Sequence, residues 1–148
     1  MEVKELGHIV LYVRDLERSR HFYRDVLGWK QVVEMGDMAA MFSSGHTHHE
    51  LLLLEVGPSA APVPPGRRVG LYHFGLKVGE TDDELREVID TLRRENVPIT
   101  GMADHTVTHS VYNTDPDGNE IELYIDVQPE TWRKDPTAIV AQTKPLRL

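Results

Sequence analysis

The sequence predicts an α+β fold in which two tandem βαβββ modules form a curved mixed sheet, a cup-like half barrel with the helices on its outer side. Two matching stretches indicate the repeat, one starting at His8 and one at His73, and in each a histidine precedes alternating apolar residues. The two histidines stand 65 positions apart, at positions 8 and 73, and the same offset relates Leu11 to Leu76. A polar residue repeated at one position of a doubled unit predicts a site to which both modules contribute.

Residues 1–56 form the predicted first module. Alternation over residues 7–13 favours a strand, and Asp15 can cap the following helix because its side-chain oxygen accepts a free backbone N–H. Gly28 is expected to end this helix, since positive φ costs glycine little. Three short strands should follow, at residues 29–34, 38–43 and 49–56. The last of them is nearly all leucine, which predicts burial on both of its faces.

A linker and a second module follow. Residues 57–70 contain four prolines and are expected to connect the modules without regular structure. In the second module, residues 71–127, Thr81 and Glu84 form the capping box of a helix. The strands of this module are expected at residues 72–78, 99–102, 108–113 and 120–127. Residues 128–148 are rich in proline and are expected to form a surface tail without a new element.

Composition excludes several classes of function. A formal net charge of −8 argues against a nucleic-acid partner, because phosphate binding needs concentrated lysine and arginine. With no cysteine there is neither a disulfide framework nor a thiolate metal site. No apolar run approaches membrane-spanning length, and the N-terminus lacks the apolar core of a signal peptide. These features predict a soluble, cytoplasmic protein that acts on a small molecule.

The best candidate site combines His8, His73 and Glu122. A single histidine at the head of a strand is usually structural, but two at equivalent positions of a repeat favour a shared role. Glu122 lies within an alternating apolar stretch, where burying an unpaired charge would be costly, although alternation could also turn it to solvent. Two imidazoles and one carboxylate suit a divalent metal that keeps open coordination positions. The three residues alone do not specify which metal.

Residues 5–127 resemble the vicinal oxygen chelate superfamily. The resemblance rests on the βαβββ repeat, on the two strand-head histidines, and above all on the segment Asp115-Pro116-Asp117-Gly118-Asn119-Glu120-Ile121-Glu122-Leu123-Tyr124. That superfamily includes glyoxalase I, extradiol ring-cleaving dioxygenases, fosfomycin-resistance enzymes and bleomycin-binding proteins. Within it, the chain is most similar to catechol 2,3-dioxygenase-type enzymes, since His48-His49 enters a strand and Asp104-His105 precedes Tyr112.

The dioxygenase resemblance implies specific roles for several residues. His8, His73 and Glu122 would hold Fe(II), with Mn, Ni or Zn as alternative ions, and the substrates would be a catechol-type aromatic diol and dioxygen. His49 would supply the acid/base group, for which an imidazole is suited by a pKa near neutrality. His105 and Tyr112 would hydrogen-bond the substrate or the bound oxygen.

Two other functions stay open on the sequence. A glyoxalase I-like enzyme acting on a glutathione hemithioacetal would need a fourth ligand, for which Glu50 is the candidate. Adjacent strand residues face opposite ways, so His49 and Glu50 cannot both point to one site unless a bulge intervenes. A bleomycin-resistance-type binding protein would need no metal at all. Either one chain or two module-exchanging chains could complete the site, and a homodimer or higher homo-oligomer is expected.

Overall fold

The computed structural model describes residues 1–148, apart from the side chain of Glu34. It divides into two compact units, Met1–Val63 and Pro64–Leu148, each with a mixed β-sheet of its own. The predicted α+β class is therefore confirmed, with the element order βαβββ in each unit. None of the helices in the described part of the chain has the length and apolar character needed to cross a lipid bilayer.

The first unit is a four-stranded sheet with one helical segment. Its elements are β1 (Ile9–Val13), α1 (Leu16–Arg20), a π-helical continuation (His21–Val26), β2 (Gln31–Met35), β3 (Ala39–Phe42) and β4 (Leu51–Glu55). The strand order is β1-β4-β3-β2, in which only β1 and β4 run parallel. Asp15 caps α1 as expected, since its side chain accepts a hydrogen bond from the Arg18 backbone N–H. Gly28 follows the helical segment at φ +70°, as the predicted stop requires.

The leucines of β4 do not behave as expected. Leu51 and Leu53 are fully buried, whereas Leu52 and Leu54 are only half-buried, so the prediction of burial on both faces was wrong. The same alternation occurs in β1, where Leu11 and its second neighbour Val13 are buried. One face of this sheet therefore packs against the helical segment. The other face also carries apolar residues, but their side chains are less buried.

The second unit contains a five-stranded sheet and a longer helix. Its elements are β5 (His73–Gly79), α2 (Asp82–Arg94), β6 (Ile99–Asp104), β7 (Thr108–Thr114), β8 (Glu120–Asp126), α3 (Pro129–Lys134), a 3₁₀ segment (Pro136–Val140) and β9 (Lys144–Pro145). The strand order is β5-β8-β7-β6-β9. The predicted capping box is present: the Thr81 side chain and the Glu84 side chain each accept from the other residue's backbone N–H. Leu85, Ile89 and Leu92 are the buried positions of α2.

The C-terminal tail is more structured than the sequence predicted. It forms α3, a 3₁₀ segment and β9. The Asp135 side chain caps the 3₁₀ segment by accepting a hydrogen bond from the Thr137 backbone N–H. Strand β9 pairs antiparallel with β6. The expectation of a tail without new elements was therefore wrong. These elements are two to six residues long, which is too short for apolar periodicity to reveal them.

The two sheets share a register, with one difference at the strand heads. His73 is the first residue of β5, whereas His8 precedes the first residue of β1, so the prediction that both lie on strands was wrong for His8. In the second sheet Glu122 lies opposite Gly75. In the first sheet Val10 corresponds to Gly75, and Val10 lies opposite Leu52. The first-unit position that corresponds to Glu122 is thus held by Leu52.

Candidate functional site

The pair of His73 and Glu122 forms the polar centre of the second unit. The parallel strands β5 and β8 carry the two residues, and the His73 Nε2 and Glu122 Oε2 atoms lie 3.3 Å apart. Their side chains are 27% and 17% exposed, so both remain reachable from solvent. Alternation within β8 buries Ile121 and Leu123 and leaves Glu122 on the opposite, less buried face.

The His73 and Glu122 donor atoms fit a shared divalent metal. Two ligands that each bind one ion at roughly 2.0–2.2 Å and a right angle lie about 3 Å apart, close to the observed separation. The other ring nitrogen, His73 Nδ1, is buried and makes no hydrogen bond to the described residues. Its nearest carboxylate oxygen is Glu120 Oε1, at 3.6 Å. A ligating histidine commonly directs its second nitrogen to a carboxylate, and Glu120 is the residue available for this.

Two hydroxyl groups hold the second oxygen of Glu122. The Ser110 hydroxyl donates to Glu122 Oε1 at 2.6 Å, and the Tyr112 hydroxyl donates to the same atom at 3.1 Å. Ser110 and Tyr112 belong to β7, and Tyr112 is the direct cross-strand partner of Glu122. Burial, followed by the charge of Glu122, raises the pKa of Tyr112 well above its usual value. Tyr112 is therefore a neutral phenol that can donate at physiological pH.

His105 and Thr143 continue this hydrogen-bonded chain. His105 Nε2 lies 2.9 Å from the Tyr112 hydroxyl, and His105 Nδ1 lies 3.2 Å from the hydroxyl of Thr143 in the tail. Because the single proton of Tyr112 goes to Glu122, the Tyr112 oxygen accepts from His105. With a proton on Nε2, the His105 ring can accept from the Thr143 hydroxyl at Nδ1. Thr143, His105 and Tyr112 thus form a hydrogen-bonded chain from the C-terminal tail to the Glu122 carboxylate.

Three histidines cluster in the first unit. The rings of His8 and His49 have centroids 4.5 Å apart, and those of His48 and His49 are 4.4 Å apart. Partial burial, together with the positive charge that His48 and His8 can carry, lowers the pKa of His49. His49 is consequently biased towards its neutral form, which can accept a proton near neutral pH.

Glu50 has a different environment from its neighbour His49. Its Oε2 accepts from the backbone N–H and the hydroxyl of Ser44, and its Oε1 accepts from the backbone N–H groups of His46 and Thr47. Burial acts to raise the pKa of Glu50, but these donors outweigh it and the pKa is lowered. Both oxygens of Glu50 thus hold the loop of residues 44–47.

The predicted triad is divided between the two units, with His8 in the first and His73 and Glu122 in the second. Within either unit, the described residues include no group of three His, Asp or Glu side chains arranged to hold a metal ion. The first unit brings His49 next to His8, and the second brings His105 and Tyr112 to Glu122.

Ser110 and Thr143 are functional candidates that the sequence analysis missed. Ser110 differs from an ordinary strand residue only by lying two positions before Tyr112 on the same side of the strand, a weak signal that could have drawn attention to it. Thr143 belongs to the tail, and no local pattern connects it to His105.

Of the remaining histidines, His109 pairs with Asp82 at 2.6 Å and His21 pairs with Asp25 at 3.0 Å, so both have structural partners.

Comparison with known proteins shows consistent family relationships. The model of the Glyoxalase/Bleomycin resistance protein/Dioxygenase superfamily matches residues 5–123. A catechol-2,3-dioxygenase from Bacillus subtilis is 36% identical over 90% of this chain and 46% of that protein. A biphenyl-2,3-diol 1,2-dioxygenase from Rhodococcus globerulus is 32% identical over 82% of this chain and 63% of that protein. The chain thus spans about half to two-thirds of the length of these curated relatives.

Other similar proteins include a further dioxygenase and a lyase. A manganese-dependent 2,3-dihydroxybiphenyl 1,2-dioxygenase from Geobacillus genomosp. 3 is 24% identical over 86% of this chain and 38% of that protein. The crystal structure of a lactoylglutathione lyase from Agrobacterium tumefaciens superposes with a TM-score of 0.65 and 26% identity, covering 88% of this chain and 98% of that one. Proteins of this fold therefore include both dioxygenases and a lyase.

Proposed function

This chain belongs to the Glyoxalase/Bleomycin resistance protein/Dioxygenase superfamily, and we propose that it is a metal-dependent extradiol dioxygenase that opens the ring of a catechol-type aromatic diol with dioxygen. One observation carries the choice of reaction. In the first unit His49 lies beside His8, while both oxygens of Glu50 are taken up by the loop of residues 44–47. An acid/base histidine fits a dioxygenase, whereas the glyoxalase alternative needs a free glutamate there.

We propose His73, Glu122 and His8 as the ligands of a divalent metal, with Fe(II) as the first choice and Mn, Ni or Zn as alternatives. When bound, such an ion would bring an electron-rich diolate and dioxygen together in adjacent coordination positions. The spacing of the His73 and Glu122 donor atoms supports this proposal. The relatives named as dioxygenases, one of them as manganese-dependent, support the class of metal but leave the choice between Fe(II) and Mn(II) to experiment.

The remaining residues have proposed roles in handling protons and substrate. His49, whose pKa is lowered by partial burial and by its neighbouring histidines, would take a proton from the diol as a general base. Tyr112 and His105 would contact the substrate from the second unit, since their polar atoms form one chain with Glu122.

The reaction is tested with protein loaded with Fe(II) under anaerobic conditions. On addition of catechol and air, we expect dioxygen consumption measured with an electrode, together with the absorbance of a yellow ring-opened product. His8→Ala, His73→Ala and Glu122→Ala should each lose stoichiometric metal by elemental analysis while keeping the circular dichroism spectrum. Full metal occupancy in two of these variants would remove the ligand assignment.

The glyoxalase alternative makes the opposite prediction in the same assay. Nickel- or zinc-loaded protein would isomerise the methylglyoxal–glutathione adduct, and catechol would not be cleaved. Leu52 at the first-unit position that corresponds to Glu122 makes this outcome less favourable, because a leucine cannot ligate a metal. A binding protein of the bleomycin-resistance kind would bind neither metal nor dioxygen, and metal analysis of the purified protein separates it from both enzymes.

A further inference from the structure

The two oxygens of Glu122 have different surroundings. Oε1 accepts two hydrogen bonds, from the hydroxyl groups of Ser110 and Tyr112. Oε2 faces His73 Nε2 at 3.3 Å. On that side lies Gly75, where a Cβ atom would be at an ordinary contact distance of 3.7 Å from Oε2. One oxygen is thus held by the strand next to β8, and the other is presented towards His73.

We propose that Ser110 is a positioning residue that, together with Tyr112, fixes the Glu122 carboxylate so that only Oε2 is offered to the metal. The inference rests on the proposed metal-dependent function and adds the mode of ligation. A carboxylate with two equivalent free oxygens can rotate about its terminal bond and bind one ion through either oxygen or both. A carboxylate whose Oε1 accepts two hydroxyl groups binds through one oxygen and leaves coordination positions open for substrates.

The position of Ser110 makes this role difficult to replace. Its side chain is fully buried, and buried hydroxyl groups carry a cost when they lose their partner. The 2.6 Å distance to Glu122 Oε1 is short, as expected when the acceptor is charged. Tyr112, which is partly exposed, provides the second and longer bond.

The chain offers a matched control serine. Ser19 in α1 is also fully buried, but its Oγ makes no hydrogen bond to the described residues. Ser110→Ala and Ser19→Ala therefore remove the same atom from equally buried positions. Only the first substitution removes a donor from a proposed metal ligand, so a difference between the variants reports on Glu122 and not on the loss of a buried hydroxyl as such.

The test is a titration of the metal-free protein and its variants with Co(II), in which binding is measured by calorimetry and by the visible absorption of the bound ion. We expect Ser110→Ala to weaken Co(II) binding by about 10- to 100-fold, the usual effect of removing a partner of a metal ligand, and to change the absorption spectrum. Ser110→Thr, which keeps the hydroxyl, should restore both. Ser19→Ala should bind Co(II) as the unaltered protein does.

Two outcomes would overturn the inference, and they differ from failure of the proposed function. If Ser110→Ala binds Co(II) with unchanged affinity and spectrum, Ser110 does not position Glu122. If Ser110→Ala does not fold, Tyr112→Phe removes the other donor, and unchanged Co(II) binding by that variant would contradict the role of the pair. If the unaltered protein binds no divalent metal, the proposed function itself is wrong.

Discussion

At the scale of single residues, neighbouring side chains decide which group is free to react. His49 and Glu50 are adjacent in the sequence, yet one packs against the His8 ring and the other accepts four hydrogen bonds from the loop before it. The loop of residues 44–47 lies directly before the His48-His49 pair. Glu50 therefore shapes the loop that leads to His49, and His49 is the acid/base candidate of the proposed dioxygenase.

Substitution of these two residues separates their roles. We expect His49→Gln to retain the metal and to slow the chemical step by roughly 10²–10⁴-fold, the usual contribution of a positioned acid/base group. We expect Glu50→Gln to retain the metal and to lower the free energy of unfolding by about 0.5–1.5 kcal/mol, because the charged acceptor of three loop N–H groups is replaced by a neutral amide. Single-turnover rates, metal analysis and urea unfolding measure the three quantities.

A reversed pattern would contradict this assignment. If Glu50→Gln loses its metal while His49→Gln turns over normally, Glu50 is a ligand and the glyoxalase alternative replaces the dioxygenase proposal. Because the two substitutions are adjacent and both introduce glutamine, differences in the size of the new side chain contribute little to the comparison.

At the scale of elements, each unit contains one pair of parallel strands, and the two pairs carry different side chains at matching positions. In the first unit Val10 lies opposite Leu52, and both are apolar. In the second, Gly75 lies opposite Glu122, and a Cβ atom on Gly75 would come within 3.2 Å of the Tyr124 ring. The second pair of strands therefore carries a carboxylate and a glycine where the first pair carries two apolar side chains, and the glycine accommodates the Tyr124 ring.

We expect Gly75→Ala to destabilise the second unit and to weaken metal binding. The added methyl group forces the Tyr124 ring aside, and overpacking of this kind costs about 1–3 kcal/mol. Gly101→Ala is the matched control, because a Cβ there meets its nearest atom at an ordinary 3.6 Å. That change should be neutral or stabilising by up to about 1 kcal/mol. Thermal unfolding and Co(II) titration of both variants test this, and equal behaviour would contradict it.

At the scale of the whole molecule, the C-terminal tail belongs to the second unit and not to a separate region. Strand β9 covers the free edge of β6, with Lys144 opposite Asp104 and Pro145 opposite Ala103. This pairing brings the Thr143 hydroxyl to His105 Nδ1. An edge strand without such cover exposes unpaired backbone groups. The tail therefore both closes the sheet and ends the hydrogen-bonded chain that leads to Glu122.

Removal of residues 141–148 should loosen β6 and release His105. We expect hydrogen exchange in β6 to accelerate by roughly 2- to 10-fold, since one backbone hydrogen bond contributes about 0.5–1.5 kcal/mol. Exchange in the interior strand β8 should change little and serves as the internal control. Thr143→Val should shift only the His105 ring signals in NMR spectra, because it removes the hydroxyl and leaves the strand pairing. Unchanged exchange in β6 after the truncation would show that β9 does not stabilise the sheet.

Local sequence patterns were sufficient to predict the α+β class, the repeat and most element boundaries. Alternation, the Asp15 cap, the Thr81–Glu84 capping box and the turn glycines are local signals, and local backbone preferences decide where helices and strands begin and end. The repeat also made His8 and His73 candidates, because they occupy equivalent positions, and Glu122 became the third because it is a carboxylate within an alternating apolar stretch. The short elements of the tail escaped prediction, since they depend on contact with β6 and not on a local pattern.

Which side chains contact one another depends on how the strands and the tail pair in the folded protein. Strand pairing brought Ser110 and Tyr112 to one oxygen of Glu122, and β9 brought Thr143 to His105. Likewise, the environment of Glu50 follows from the fold of a loop that no sequence period describes. The physical reason is that hydrogen bonds and packing act over a few ångströms in space, between residues that can be far apart in the chain, such as His105 and Thr143, which are 38 positions apart.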